Sequence, residues 1–157
     1  MLIMIVKKKN SQKKIVNKRD LLRNINRYFD FKLSITARSI DRSTRKDMIF
    51  EIIMMRFDIL QNYRKSIIKI FESFKEKPQE LVFLLPSFLE SIIMMASIAK
   101  IPITGLKGNV KINGLLIIYF LIFLVWVEDT SEFLEKTMTS LDNYLDRASN
   151  LICILRK

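Results

Sequence analysis

The fourteen residues from Gly114 to Val127 read GLLIIYFLIFLVWV and carry no charge. They limit the fold more than any other stretch, because a helix made of them is apolar on every face. Such a helix is about 21 Å long, which is shorter than the ~30 Å hydrocarbon core of a bilayer. We therefore expect protein, a second subunit or an apolar ligand to cover it. A re-entrant or peripheral contact with a membrane is the alternative.

Composition favours an all-α protein. The chain has 157 residues, half of them apolar, with only three Gly and three Pro, and its apolar residues recur at helical rather than strand spacing. We predict a basic, disordered arm over residues 1–17 and a single helical domain over 18–157, with its core in 44–155. The predicted helices are 18–33, 44–61, 63–74, 78–99 with a kink at Pro86, 110–127 and 131–155, with the clearest loop at 100–110.

The positive charge is concentrated at the beginning of the chain. The net charge is +11, and residues 1–46 hold fourteen Lys and Arg against three Asp, whereas the rest of the chain is neutral. Arg19, Arg23 and Arg27 recur every fourth residue, which places them on one face of a helix. This pattern predicts a surface for nucleic acid, an anionic membrane or an acidic partner. A solvated face without a partner is the equally weighted alternative.

The last helix carries a heptad pattern. Its apolar residues are spaced 4-3-4-3-4-3, which is typical of an a/d seam: Leu134, Met138, Leu141, Leu145, Ala148, Ile152 and Leu155. Asp129, Thr130 and Ser131 lie just before it, where their side-chain oxygens would cap the N-terminus of the helix. The apolar run and this helix are therefore predicted to form a hairpin.

The residues that most often carry catalysis are absent. The chain has no His and a single Cys, Cys153, which removes the commonest general base and the commonest metal ligands. Gly105 and Gly108 lack the Lys-Ser/Thr ending of a phosphate-binding loop. Glu128 and Asp129 are better explained as a helix end and a cap than as a catalytic pair. We expect no enzyme, catalytic residue, metal site or cofactor, and a cytoplasmic location.

Two stretches, 45–67 and 105–147, resemble a bacterial group of TetR-like proteins. That group overlaps the Coq-nine family, lipid-binding proteins of ubiquinone biosynthesis with a TetR-like fold. The most specific pieces are Met55-Arg56-Phe57-Asp58 and Trp126-Val127-Glu128-Asp129-Thr130-Ser131, followed by Thr137-Met138 and Leu141-Asp142. The resemblance implies a TetR-like C-terminal bundle of about six helices, with the last two forming a dimerisation hairpin.

The resemblance also implies where partners bind. It places a homodimer interface on Leu121, Leu124, Leu134, Met138, Leu141, Leu145 and Ile152, and a lipid or quinone-like ligand beside Phe83, Phe88, Met94, Met95 and Tyr119. The helix-turn-helix of the family has no counterpart in residues 1–17, so we expect an N-terminally truncated chain without specific DNA binding. The expected function is a dimeric, non-enzymatic binding protein linked to ubiquinone biosynthesis. A truncated TetR-type regulator or a decayed gene product is the alternative.

Overall fold

The computed structural model describes residues 18–37 and 44–154, with side chains up to residue 150. These ranges contain helices and no strand, which confirms the all-α class. The helices are α1 (Lys18–Thr36), α2 (Arg45–Gln61), α3 (Arg64–Glu76), α4 (Pro78–Val82), α5 (Leu85–Ile98), α6 (Gly105–Glu128) and α7 (Glu135–Ile154). Counting α4 and α5 as one interrupted helix gives the predicted six. The arm 1–17 and the side chain of Ile152 lie outside the described part.

Two helix starts follow from local sequence, as predicted. The Thr44 hydroxyl accepts a hydrogen bond from the Asp47 backbone N–H at 3.2 Å and donates one to the Asp47 carboxylate at 2.6 Å. The Thr44 hydroxyl thus caps the start of α2 as an N-cap residue, and the Asp47 carboxylate holds that hydroxyl in place. Pro78 occupies the first turn of α4, where a missing N–H costs nothing. The run from Pro78 then breaks after Val82 instead of only kinking, and Pro86 falls in the first turn of α5.

Helix α5 ends with a non-glycine residue in the left-handed conformation. Lys100 has φ 55°, its N–H bonds to the Ser97 carbonyl at 3.1 Å, and the Ile101 N–H bonds to the Ala96 carbonyl at 2.9 Å. This pair of bonds is a Schellman motif, which satisfies the last carbonyls of a helix. Four residues, 101–104, then lead from Lys100 to the beginning of the next helix.

Helix α6 begins at Gly105, so the predicted loop over 100–110 is confirmed for 100–104 and wrong for 105–110. Gly105 has φ 69°, and Gly108 lies so close to the Ile103 backbone that an added Cβ would be 2.1 Å from the Ile103 carbonyl carbon. The glycines thus permit close packing at the beginning of a helix, where composition indicated a loop. At 24 residues α6 is about 36 Å long, and the argument that the apolar segment is too short to span a bilayer no longer holds.

The described residues group into two compact units. The first contains residues 18–37 and Met55–Met94, and the second contains 44–54 and 95–154, so that α2 and α5 contribute to both. A single helical domain over 18–157 stays a prediction. Each unit has its own buried apolar residues, among them Phe29, Leu33, Phe57 and Ile92 in the first and Ile52, Tyr119, Ile122, Trp126 and Leu141 in the second.

In the second unit α6 packs along α7. The N-terminal turn of α2 also reaches α7, because the Lys46 ammonium lies 2.9 Å from the Asp142 carboxylate and 2.5 Å from that of Asp146. These two acids are one helical turn apart, so they face the same cation. The predicted hairpin of the last two helices is therefore present in the structure.

Candidate interaction surface

Helix α6 has one face buried within the chain. Its buried residues recur every three to four positions, as expected for one side of a helix: Gly108, Ile112, Leu115, Ile118, Tyr119, Ile122 and Trp126. Three seam residues are buried as well, Leu134 just before α7 and Leu141 and Leu145 on it. These three residues therefore belong to the inside of the protein's own second unit.

The turn between α6 and α7 is built around the carboxylate of Asp129. One of its oxygens accepts hydrogen bonds from the backbone and the hydroxyl of Ser131, at 3.0 and 2.5 Å. The other accepts bonds from the backbone and the hydroxyl of Thr137, at 2.8 and 2.7 Å. Ser131 in turn accepts the Glu135 N–H at 2.9 Å. Four bonds to one buried anion fix where α7 begins, and with it the path of the hairpin.

The opposite face of α6 is exposed and almost entirely apolar. We call it the α6 stripe, and it consists of Leu106, Val110, Asn113, Ile117, Leu121, Leu124 and Glu128. Ile117 is 61% exposed, Leu124 49% and Leu121 37%. Scattered exposed apolar residues are ordinary, but a contiguous apolar strip is typical of an interaction site. The stripe lies wholly on one helix of the second unit.

The seven residues predicted to form a dimer interface are divided by the structure. Leu121 and Leu124 on α6 and Met138 on α7 are exposed and remain candidates for contact with a second subunit. Leu134, Leu141 and Leu145 are already covered within the chain. The seam was readable from spacing, but spacing does not show whether a neighbouring helix or another subunit covers it.

The five residues predicted to line a ligand site also divide. Met95 and Tyr119 are buried in the second unit, whereas Phe83, Phe88 and Met94 belong to the first. The ring of Phe83 is half-exposed and is covered by the Arg19 guanidinium, 3.6 Å from the ring centroid. Phe83 therefore already has a cation–π partner within its unit. The ligand site stays a prediction.

The predicted basic face of α1 lies along α4 and α5. Besides its contact with Phe83, this face has Arg23 donating to the Phe83 carbonyl at 3.4 Å and Arg27 lying 3.7 Å from the Glu90 carboxylate. Lys18, the residue before Arg19, donates to Glu80 at 2.6 Å and lowers the pKa of that carboxyl. These cations have internal partners, which leaves less charge to neutralise an external anion.

A buried polar cluster joins α1, α2 and α5 in the first unit. The Arg56 guanidinium, 1% exposed, donates to the Asp30 carboxylate and, at 2.8 Å, to the Asn26 side-chain oxygen. The Ser91 hydroxyl donates to Asp30 at 2.8 Å, and the Asn26 amide donates to the hydroxyls of Ser87 and Ser91 at 3.0 and 2.8 Å. No described buried side-chain N or O atom lacks a partner. The cluster orients three helices.

Sequence reasoning missed this cluster, although its signal was present. Arg56 lies one turn from Ile52 and Leu60, on the apolar side of α2, and Asn26 lies between Leu22 and Phe29 on the apolar side of α1. A polar residue on an apolar face indicates a buried polar contact. The partner can be identified only from the fold, because Asp30, Asn26 and Arg56 come from different helices.

The described residues give little support for two other kinds of site. Among the side chains of residues 18–37 and 44–150, no group of three or more His, Cys, Asp or Glu could hold a metal ion. The stretches Pro78–Ile98 and Gly105–Glu128 are long and apolar enough to cross a membrane by length and composition. Core helices of soluble proteins meet the same criterion, so this is weak evidence for a membrane protein.

No protein-family model matches this chain, and no curated protein matches its sequence. The likeness to TetR-like and Coq-nine proteins therefore stays a prediction. Its two most specific stretches nevertheless have clear structural roles, because Arg56 centres the polar cluster and Asp129 centres the α6–α7 turn.

Proposed function

We propose that this protein is a non-enzymatic helical binding protein whose working form is a homodimer, joined through the exposed face of the α6–α7 hairpin. The observation that carries the proposal is the α6 stripe, whose five exposed apolar residues extend over about 27 Å, from Leu106 to Leu124. Burying such a strip removes apolar surface from water, and this is the main driving force for stable association. A stable dimer buries about 800 Å² per partner.

The hairpin also meets the mechanical requirement for an interface. The α6 stripe is backed by a packed face, and the Asp129 turn fixes the adjoining helix. A rigid helix face loses little conformational entropy on binding. Two further exposed apolar residues, Phe133 in the turn before α7 and Met138 on α7, enlarge the apolar surface of the same hairpin.

The proposal is tested with charge placed on the stripe. The variant Leu121→Asp with Leu124→Asp puts two carboxylates into the proposed contact, so we expect a monomer by size-exclusion chromatography with light scattering. The matched control is Thr139→Asp with Asn143→Asp, which adds the same charge to exposed positions of α7 and should leave the dimer intact. Circular dichroism checks that both remain helical. A monomeric wild-type protein at micromolar concentration contradicts the proposal.

The ligand of the proposed binding protein is a hydrophobic molecule of the lipid or quinone class, which links the protein to ubiquinone biosynthesis. The proposal rests on the stated resemblance and on apolar and aromatic side chains such as Met95 and Tyr119 in the second unit. Apolar lining with few polar groups suits such a ligand. Organic extraction of the purified protein followed by mass spectrometry should yield one lipid or quinone at a fixed ratio. Bare protein in native mass spectrometry contradicts this part.

A lipid bilayer is the competing partner for the same face, because α6 meets the length and apolarity of a membrane span. The two candidates predict different behaviour. A membrane contact predicts co-sedimentation with phosphatidylcholine and phosphatidylglycerol vesicles and an increase in the signal of a lipid-bound fluorescent probe on binding. The dimer predicts that the protein stays in the supernatant at its dimer mass.

A further inference from the structure

The sequence positions of the α6 stripe are spaced symmetrically about Ile117. Counting outward from Ile117, the exposed positions fall at four, seven and eleven residues in both directions: Asn113 and Leu121, Val110 and Leu124, Leu106 and Glu128. Between Ile112 and Glu128 these are the only positions of α6 that are exposed. Eleven residues make about three helical turns, so Leu106, Ile117 and Glu128 lie in one line along the helix.

A surface with this symmetry is complementary to itself under a two-fold rotation. In an isologous contact residue i of one copy meets residue j of the other, and j meets i. A two-fold axis through Ile117, perpendicular to α6, brings Ile117 onto Ile117 of the partner subunit and Val110 onto Leu124 of the partner subunit, so these pairs are apolar. In the other two pairs Asn113 meets Leu121 of the partner subunit and Leu106 meets Glu128 of the partner subunit.

The charges on α6 select the antiparallel direction. The helix has only three charged residues, with Lys107 and Lys111 near its beginning and Glu128 at its end. Antiparallel pairing brings Lys107 close to Glu128 of the partner subunit at both ends of the contact. Parallel pairing would place Lys107 beside Lys107 of the partner subunit, and like charges destabilise an interface. In an antiparallel pair, the positive N-terminal end of each helix dipole also lies beside the negative C-terminal end of the other, which is favourable.

We propose that two copies of this chain pair α6 against α6 in antiparallel register, with the two-fold axis passing through Ile117. The inference rests on the proposed dimer and adds its geometry. It makes Ile117, which the sequence pattern did not single out, the central contact. It also leaves Leu141 and Leu145 inside each subunit and outside the interface.

Disulfide trapping tests the register in a Cys153→Ser background, so that each variant carries one thiol. Ile117→Cys places two thiols across the axis, where facing Cα atoms come within the ~7 Å that a disulfide spans. We expect nearly complete cross-linking with copper phenanthroline on non-reducing gels. Val110→Cys and Leu124→Cys should cross-link weakly alone and efficiently when the two proteins are mixed and allowed to exchange subunits. Thr139→Cys, exposed on α7, is the control and should stay monomeric on the gel.

The outcomes separate the register from the proposed function. A dimer by light scattering in which Ile117→Cys cross-links no better than Thr139→Cys overturns the register and leaves the dimer standing. Efficient cross-linking of Val110→Cys alone would show a parallel pair and likewise overturn it. A protein that is monomeric in solution, or that sediments with vesicles and does not cross-link, overturns the register and the proposed dimer together.

Discussion

At the scale of single residues, Asp129 shows how one buried carboxylate sets the path of the chain. Burial alone would raise the pKa of its carboxyl, but hydrogen bonds from Ser131 and Thr137 outweigh burial and hold that pKa well below its ordinary value. Because the folded pKa is depressed, the ionised form stabilises the native state above the unfolded pKa of about 4, and this stabilisation is lost as the pH falls below that value.

Replacing Asp129 by Asn should lower the free energy of unfolding by about 1–3 kcal/mol at pH 7, because the amide offers one acceptor oxygen where the carboxylate uses two. The difference from the wild-type protein should shrink below about pH 4, because the carboxyl then binds a proton in the unfolded chain while the native carboxylate, with its lowered pKa, is still ionised. Urea denaturation at pH 7 and at pH 3 measures it. Glu132→Gln, an exposed acid of the same turn, is the control. An equal difference at both pH values would contradict this assignment.

The second residue-scale prediction concerns the buried pair of Arg56 and Asp30. Removing Arg56 should cost about 3–5 kcal/mol, because the largely buried Asp30 carboxylate then loses its cationic partner. We expect this loss for Arg56→Ala and a smaller additional loss when Asp30→Ala is combined with it, with a coupling of about 0.5–3 kcal/mol in a double-mutant cycle.

The exposed pair of Arg27 and Glu90 joins α1 to α5 at the surface. These are two of the three helices that the polar cluster connects, so this pair is the control. Arg27→Ala should cost about 0–1 kcal/mol, because water and salt screen an exposed ion pair. Equal costs for Arg27→Ala and Arg56→Ala in urea denaturation would show that the buried cluster is not what orients these helices.

At the scale of elements, the structure separates what short-range sequence determines from what it does not. Thr44 and Pro78 were placed correctly because a cap and a first-turn proline depend on a few neighbouring residues. The beginning of α6 was misplaced because Gly105 and Gly108 were taken as loop residues. Gly108 is required by the Ile103 backbone beside it, and such a tertiary contact is invisible in composition. For the same reason, spacing predicted the apolar seam of α7 but not whether a neighbouring helix or a second subunit covers it.

Two glycines of α6, Gly108 and Gly114, are predicted to change the stability of the fold in opposite directions when they are replaced by alanine. A Cβ on Gly108 would overlap the Ile103 backbone, whereas a Cβ on Gly114 meets nothing within 4 Å. Gly108→Ala should therefore destabilise the fold by about 1–3 kcal/mol, and Gly114→Ala should stabilise it by about 1 kcal/mol, since Ala favours the helix interior. Thermal and urea denaturation measure both. A stabilising Gly108→Ala would contradict the close approach at the beginning of α6.

At the scale of the whole molecule, the apolar run is connected to self-association. One face of α6 is covered within the second unit and the other carries the α6 stripe. Packing within the chain therefore accounts for the apolar residues on one face, and the proposed dimer accounts for those on the other. The buried positions of the α7 seam change the expected effect of mutations there. Leu141→Asp with Leu145→Asp should unfold the second unit instead of only separating the subunits, which circular dichroism detects as lost helicity.

The most direct test of the central claim, that the α6 stripe joins two copies of the chain, is sedimentation equilibrium of the purified full-length protein over a range of micromolar concentrations, beside Ile117→Glu. The account predicts twice the 18.6 kDa mass of the chain for the wild-type protein and a single-chain mass for Ile117→Glu with unchanged helicity. A wild-type protein that sediments as one chain throughout, or an Ile117→Glu variant that dimerises as tightly as wild type, would contradict it.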